Sequence, residues 1–144
     1  MYLLDTNVIS ESRKKTRANP GVRRFFENIR RNAEDVYLSV VTIGELRRGI
    51  ELIRHRKDYQ QARLLENWLE EIVEHYSAYI LDFTREEAQV WGMLSVPSPV
   101  NTLDKQIAAT ALTHDLVLVT RNVRDFQGVG PRLLDPFDRP LRAP

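Results

Sequence analysis

The chain contains no cysteine, which excludes disulfide staples, thiolate zinc sites and cysteine nucleophiles. Its three histidines, His55, His75 and His114, lie far apart and match no zinc-ligand spacing. Any metal site must therefore be built mostly from oxygen ligands. No run approaches the roughly 18 apolar residues that a membrane-spanning helix needs, so no membrane span is expected. The opening Met1-Tyr2-Leu3-Leu4-Asp5 has no basic stretch and places an acid where the apolar run of a signal peptide would lie. A cytoplasmic protein is the expectation. Internal repeats and low-complexity tracts are also missing.

What remains is an ordinary globular composition. The 144 residues are 42% hydrophobic and 28% charged, which fits one domain over residues 1–144 and excludes a collagen, a coiled coil or a disordered tail. A chain of this size buries roughly 68–70% of its unfolded surface, so a core forms without staples. A proline-rich tail begins at about residue 135, with Pro136, Pro140 and Pro144.

The net charge is +1, but it is unevenly spread. Arg13, Lys14, Lys15, Arg17, Arg23, Arg24, Arg30 and Arg31 stand against Glu27 alone. Further on, Glu66, Glu70, Glu71, Glu74, Asp82, Glu86 and Glu87 stand against Arg85 alone. A basic lobe attracts an anionic polymer even in a nearly neutral chain. Arginine supplies 17 of the 21 basic residues, and its planar fork suits bidentate phosphate contact. A merely solvated face is the plainer reading of the same run.

Short apolar segments alternate with helical patterns along the chain. Tyr2–Leu4, Val36–Val41, Tyr79–Leu81, Leu116–Val119 and Leu133–Leu134 read as strands, most of them buried on both faces. Val8-Ile9 sits on a short helix, and 12–18 is polar loop. Asn19-Pro20 is a cap followed by proline at the first helical position, predicting a helix to Arg31. Thr42-Ile43-Gly44-Glu45 has capping-box spacing and predicts a helix to His55. The stripe Ala62, Leu65, Trp68, Leu69, Ile72, Val73 and Tyr76 predicts a helix over 58–76, with the stripe read as core. Thr84-Arg85-Glu86-Glu87 predicts another capped helix, to Leu94. After a loop with Pro97 and Pro99, Thr102 opens a helix carrying Leu103, Ile107, Ala108, Ala111 and Leu112. This alternation predicts an α/β fold, a parallel sheet covered by helices.

In an open α/β sheet, ligands bind outside the carboxyl ends of the strands. Asp5, Thr6 and Asn7 follow the first strand, and Thr120, Arg121, Asn122 and Asp125 follow the Leu116 strand. Glu45 and Asp104 fall in first helical turns, and Asp82 follows the third strand as a plain turn residue. Each of these residues has a structural explanation: Asp5 as a helix cap, Glu45 as half of the capping box, Asp104 at a helix dipole, Asn122 and Asp125 in a turn. Convergence changes the meaning. Two carboxylates about 5 Å apart at an effective dielectric near 20 repel by roughly 3 kcal/mol. Three such pairs cost on the order of 10 kcal/mol, comparable to the stability of a domain. Such a cluster persists at neutral pH only around a cation or a shared proton. All-oxygen ligation selects a hard ion, Mg²⁺ or Mn²⁺. Beside a basic lobe, the natural substrate is a phosphodiester.

Four segments then resemble the motifs of the PIN-domain nucleases, in the family's order and across nearly the whole chain. They are Leu3-Leu4-Asp5-Thr6-Asn7-Val8-Ile9-Ser10, the run from Ser39 to Gly49 around Glu45, Leu103-Asp104-Lys105-Gln106-Ile107-Ala108-Ala109-Thr110-Ala111, and Val119-Thr120-Arg121-Asn122-Val123-Arg124-Asp125-Phe126. Leu134-Asp135-Pro136-Phe137 is similar to the usual family ending. The resemblance is to the VapC-type toxins of type II toxin–antitoxin modules, FitB-like members included. It implies a three-layer α/β/α domain with a parallel sheet of about five strands. It implies a Mg²⁺- or Mn²⁺-dependent endoribonuclease and a homodimer. It also implies a cognate antitoxin that wraps the toxin, blocks its site and carries the complex to promoter DNA. By position, Asp5 and Asp104 become the main metal ligands, Glu45 completes the acidic cluster and Asp125 is the fourth acid. Thr6, Asn7, Thr120 and Asn122 orient ligands or water. Many PIN domains carry an acid where this chain has Asn122, which leaves open whether one or two ions act. Arg13, Lys14, Lys15, Arg17, Arg23 and Arg24 are candidates for RNA contact on charge alone, or for an acidic antitoxin tail.

Three other readings compete. A haloacid-dehalogenase-like phosphatase also uses an aspartate after its first strand, but wants a second one where this chain has Asn7. An inactive PIN-like module would act as a binding partner only, and a structural RNA-binding domain would use the basic lobe alone. Neither the RNA cut nor the identity of an antitoxin is written in the sequence.

Overall fold

The computed structural model describes residues 1–138. Its elements run β1 (Tyr2–Leu4), α1 (Thr6–Ser12), α2 (Pro20–Asn32), β2 (Val36–Ser39), α3 (Val40–His55), α4 (Tyr59–His75), β3 (Ile80–Leu81), α5 (Arg85–Leu94), α6 (Thr102–Thr113), β4 (Val117–Val119), α7 (Val123–Phe126) and β5 (Leu133–Leu134). All strand pairings are parallel, in the order β3-β2-β1-β4-β5. The expected α/β architecture and five-stranded sheet are therefore present.

Successive strand residues point to opposite faces, and the core divides accordingly. Leu4, Leu38 and Val119 face one cluster with Val8, Ile9, Phe25, Leu46, Ile50, Ala62 and Leu69 from α1 to α4. Leu3 and Leu118 face the other, with Ile107, Ala108 and Ala111 of α6 and Phe126 of α7. Helices thus cover both faces. This explains why the strands are almost wholly apolar rather than alternating.

The strand order reverses at β1, which pairs with β2 on one side and β4 on the other. Leu4 lies opposite Val119 in the register, and the Asp5 amide donates to the Val119 carbonyl at 2.9 Å. The residues that follow β1 and β4 are therefore side by side at the carboxyl edge of the sheet. That edge is the switch-point crevice where open α/β folds place their ligands.

The local signals fix most boundaries. Asn19 Oδ1 accepts from the Gly21 amide at 2.9 Å, with Pro20 at the first helical position. Asp58 caps α4 through the Gln61 amide. The Thr84–Glu87 capping box forms as expected, Glu87 Oε2 accepting from the Thr84 amide at 3.1 Å.

Four expectations are corrected. The second strand ends at Ser39, not Val41, because Ser39 caps α3 by accepting from the Val41 amide at 3.0 Å. Thr42 and Glu45 accordingly form no capping box, and Glu45 moves to the second turn of α3. The polar segment after α1 contains a 3₁₀ turn at Lys15–Arg17. The segment after β4 forms the short helix α7 where only a turn is expected. Glu87, the reciprocal residue of the Thr84 capping box, makes a second contact. It is fully buried and its Oε1 lies 2.9 Å from His114 Nε2, tying the start of α5 to the end of α6. Of the proline-rich tail, Pro136 is described, whereas Pro140 and Pro144 lie outside the described residues.

Candidate active site

Asp5 is the centre of the crevice. It ends β1, caps α1 and is only 4% exposed. A buried carboxylate needs donors, and the neighbouring residues supply them. Oδ1 accepts from the Thr6 amide at 2.8 Å. Oδ2 accepts from Thr120 Oγ1 at 2.7 Å and from Asn7 Nδ2 at 3.3 Å. Thr120 is itself buried at the end of β4 and accepts from the Asn122 amide at 3.0 Å. Asn7 Oδ1 accepts from the Arg121 amide at 3.1 Å. The first and fourth motifs are thus knitted into one network across the β1–β4 seam.

Glu45 joins from α3. Its Oε1 accepts from Thr6 Oγ1 at 3.0 Å, so the second motif is tied to the first through a side chain rather than through a helix cap. Asp104 lies in the first turn of α6 and Asp125 in that of α7. No direct hydrogen bond ties these two to Asp5 or Glu45. Their connection to the crevice is electrostatic.

Burial pushes the Asp5 carboxyl above the ordinary range, the donors Thr120, Thr6 and Asn7 oppose that, and the charge of Asp125 adds to it. Burial also raises Glu45. The Thr6 hydroxyl and the Arg48 charge work against the rise, and Asp5 and Asp104 reinforce it. Asp104 is raised to about 6, by burial first and then by Asp5 and Asp125. In each of the three, burial is the first cause that disfavours the charged form, and the charge of a neighbouring acid adds to it. Among the described residues, no three acidic or histidine side chains are drawn together closely enough to hold an ion as they stand. The donor set is all-oxygen and overcharged, and such a set suits a hard divalent cation.

The structure brings together Asp5, Thr6, Asn7, Glu45, Thr120 and Asn122 by contact, and Asp104 and Asp125 by charge. The basic candidates are not part of this network, and four of them have protein partners of their own. The Arg13 guanidinium lies 5.9 Å from the centre of the Trp68 ring, and Lys14 pairs with Glu11 at 2.8 Å. Arg23 donates to the Thr16 carbonyl at 3.2 Å, and Arg24 forks onto both oxygens of Asp138 at 2.6 Å. Lys15 and Arg17 are the two ends of the 3₁₀ turn, both exposed. Together with Phe26, Arg30 and Tyr76, Lys15 and Arg23 border a groove of about 420 Å³.

Two further cations adjoin the motif residues along the chain. Arg48 is exposed, three residues after Glu45 and hence on the same side of α3. Arg121 follows Thr120 directly, and its guanidinium lies 5.1 Å from the centre of the Phe137 ring. The Glu45–Arg48 spacing was readable. The Arg121–Phe137 contact spans the last fold element and carries no local signal.

Comparison with known proteins agrees with the motif order. The family model of the PIN domain matches residues 2–130. The toxin FitB of Neisseria gonorrhoeae is 32% identical over 143 residues, covering 95% of this chain and 99% of FitB. The VapC ribonuclease Y4jK of Sinorhizobium fredii is 30% identical over 141 residues, covering 96% and 99%. The structure of FitAB bound to a DNA fragment, IR36, superposes with a TM-score of 0.80 at 28% identity, covering 99% of this chain and all of that one. The chain belongs to the PIN domain family.

Proposed function

We propose that this chain is the toxin of a type II toxin–antitoxin module, a Mg²⁺- or Mn²⁺-dependent endoribonuclease that hydrolyses RNA phosphodiester bonds at the β1–β4 crevice. Residues 1–144 form one PIN domain in this reading. One observation carries it: the carboxyls of Asp5, Glu45 and Asp104 are all raised, by burial first and then by the charge of neighbouring acids of the set, Asp125 on Asp5, Asp5 and Asp104 on Glu45, and Asp5 and Asp125 on Asp104. A protein that keeps such a set at neutral pH has a use for the charge. The names of the relatives, a toxin and a ribonuclease, point the same way.

Asp5, Asp104, Glu45 and Asp125 are the residues that would hold the ion, which when bound polarises a phosphate oxygen and lowers the pKa of water. The protein's own contribution is orientation. Thr120 and Asn7 fix the Asp5 carboxylate from one side and the Thr6 amide fixes it from the other. The Thr6 hydroxyl turns Glu45 toward the same crevice. Asn122, linked through its amide to Thr120, is exposed and would orient substrate or water. Such surrounding donors keep reacting groups in place between turnovers.

The same reading supplies partners. An antitoxin would cover the crevice, and the complex would meet promoter DNA through the antitoxin, as the DNA-bound FitAB relative suggests. A second copy of the chain has exposed apolar side chains available at Met93, Val96, Val100 and Leu103. No helix among the described residues is long and apolar enough to cross a membrane, and we place the protein in the cytoplasm.

The test is RNA cleavage by the purified chain. Cleavage should require Mg²⁺ or Mn²⁺, stop with EDTA, and disappear in Asp5→Asn and Asp104→Asn while the circular dichroism spectrum is kept. Wild-type cleavage by Asp104→Asn, or hydrolysis of a small phosphoester with RNA left intact, contradicts it.

A further inference from the structure

Arg48 is an exposed cation of α3. The helix starts directly at the carboxyl end of β2, and Glu45 and Arg48 occupy its second and third turns. Three residues apart, they share one side of the helix. Helical side chains lean toward the N-terminus, so the long Arg48 side chain leans back along the row that holds Glu45. Its charge acts on the Glu45 carboxylate, yet no hydrogen bond or ion pair engages its guanidinium among the described residues. The next acid along that row, Glu51, is taken by Arg47 and Arg54. Arg48 thus differs from Arg121, whose guanidinium lies on the Phe137 ring and acts on Glu11, and from the four engaged residues of the basic lobe. An arginine with an unused fork, one helical turn from an acid of the crevice, is suited to a phosphate.

The helix around Arg48 is also unusually bare. A glycine in a helix interior is disfavoured against alanine and is expected where a backbone angle or a close neighbour demands it. Gly44 and Gly49 meet neither demand. Neither has a positive φ, both are exposed, and a Cβ added to either would meet nothing within 4 Å. They stand on either side of Glu45 and Arg48 in the chain, and no contact within the protein explains them. A smooth helix surface beside a cation lets a second backbone come close.

We infer that Arg48 is a substrate-binding residue, which holds the phosphate of an RNA nucleotide next to the one being cut, and that Gly44 and Gly49 let the strand lie close to α3 as it enters the acidic crevice. Arg48 then adds a backbone contact to the proposed nuclease reading, on which this inference rests.

The experiment uses a mixed-sequence single-stranded RNA, bound to the full chain in EDTA and followed by fluorescence anisotropy over a range of salt concentrations. A phosphate contact is independent of sequence, so no knowledge of the target is needed. Arg48→Ala should weaken binding about tenfold and lower the slope of log K against log salt by about 0.7, one phosphate on a single strand. Arg48→Lys keeps the charge and should keep the slope. Arg63→Ala removes an exposed arginine from α4 and should change neither affinity nor slope. Gly44→Ala and Gly49→Ala should melt at a higher temperature than wild type, because alanine is the better helix former, and should nevertheless bind RNA more weakly. In a cleavage assay Arg48→Ala should raise KM far more than it lowers kcat, because a contact away from the scissile bond is made equally in the ground and transition states. A wild-type slope in Arg48→Ala, an equal drop in Arg63→Ala, or a wild type that binds no RNA overturns the phosphate contact. Wild-type RNA affinity in both glycine variants overturns the close approach to α3. Failure of the nuclease reading looks different: the Arg48 dependence of binding persists, but wild type leaves RNA uncut or Asp5→Asn cuts it equally well.

Discussion

The Thr120 hydroxyl donates to Asp5 Oδ2 at 2.7 Å, joining two residues that are 115 positions apart in sequence and adjacent in space. The contact exists because β1 and β4 are neighbours and end in register. It is also the most buried polar link of the crevice. Replacing Thr120 with valine keeps the shape and removes the donor. The buried carboxylate then loses a partner, which costs about 1–3 kcal/mol. Single-turnover RNA cleavage by Thr120→Val should fall on the order of 10- to 100-fold, and Thr120→Ser should recover most of it. Equal rates for Thr120→Val and wild type would show that Asp5 is oriented by other means.

Asp104 gives the protein an inverted pH dependence. Its folded pKa is raised to about 6, against an ordinary value near 3.8. The folded state therefore binds the proton more tightly than the unfolded state. The resulting stabilisation is fully present below about pH 4 and is lost as pH rises through 6. Asp5 and Glu45 are shifted in the same direction. In EDTA, Asp104→Asn should unfold at a higher urea concentration than wild type at pH 7, and the gap should close as the pH approaches 4. Addition of Mn²⁺ should raise the melting temperature of wild type more at pH 7 than at pH 5. The opposite ordering of the two proteins at pH 7 would remove the electrostatic account of the crevice.

Glu87 and His114 form a structural pair away from the acids. The Glu87 carboxylate is fully buried, holds the Thr84 amide and meets the His114 ring. Glu87→Ala removes both contacts and should lower stability by about 2 kcal/mol, read from urea unfolding. The kcat for RNA cleavage by the folded fraction should stay within about twofold of wild type. A large loss of kcat would place α5 in the catalytic machinery.

Much of this architecture was legible because its signals are local. The apolar runs at Tyr2–Leu4 and Val117–Val119, the Asn19-Pro20 cap and the Thr84–Glu87 box each specify one element without reference to the rest. The acids Asp5, Glu45 and Asp104 were readable as candidates from motif order and strand ends. The errors came where two signals compete. Val40 and Val41 favour a strand by propensity, but Ser39 caps the helix one residue earlier, and the capping contact wins over a weak preference. That shift changes the role of Glu45 from reciprocal cap to partner of Thr6. The Thr84–Glu87 box was legible, but the contact of Glu87 with His114 was not, because it joins α5 to α6 across 27 positions. The basic lobe was singled out on charge density, while its actual pairings with Trp68, Thr16 and Asp138 depend on tertiary contacts that a linear pattern does not contain.

The account rests on one divalent ion being held by the acids of the β1–β4 crevice. Calorimetric titration of Mn²⁺ into the chain at pH 7 tests this most directly, because it needs neither the RNA target nor the antitoxin. Wild type should give a saturable isotherm that is lost in both Asp5→Asn and Asp104→Asn and kept in Asp82→Asn. An unchanged isotherm in Asp104→Asn, or no binding by wild type, contradicts the claim.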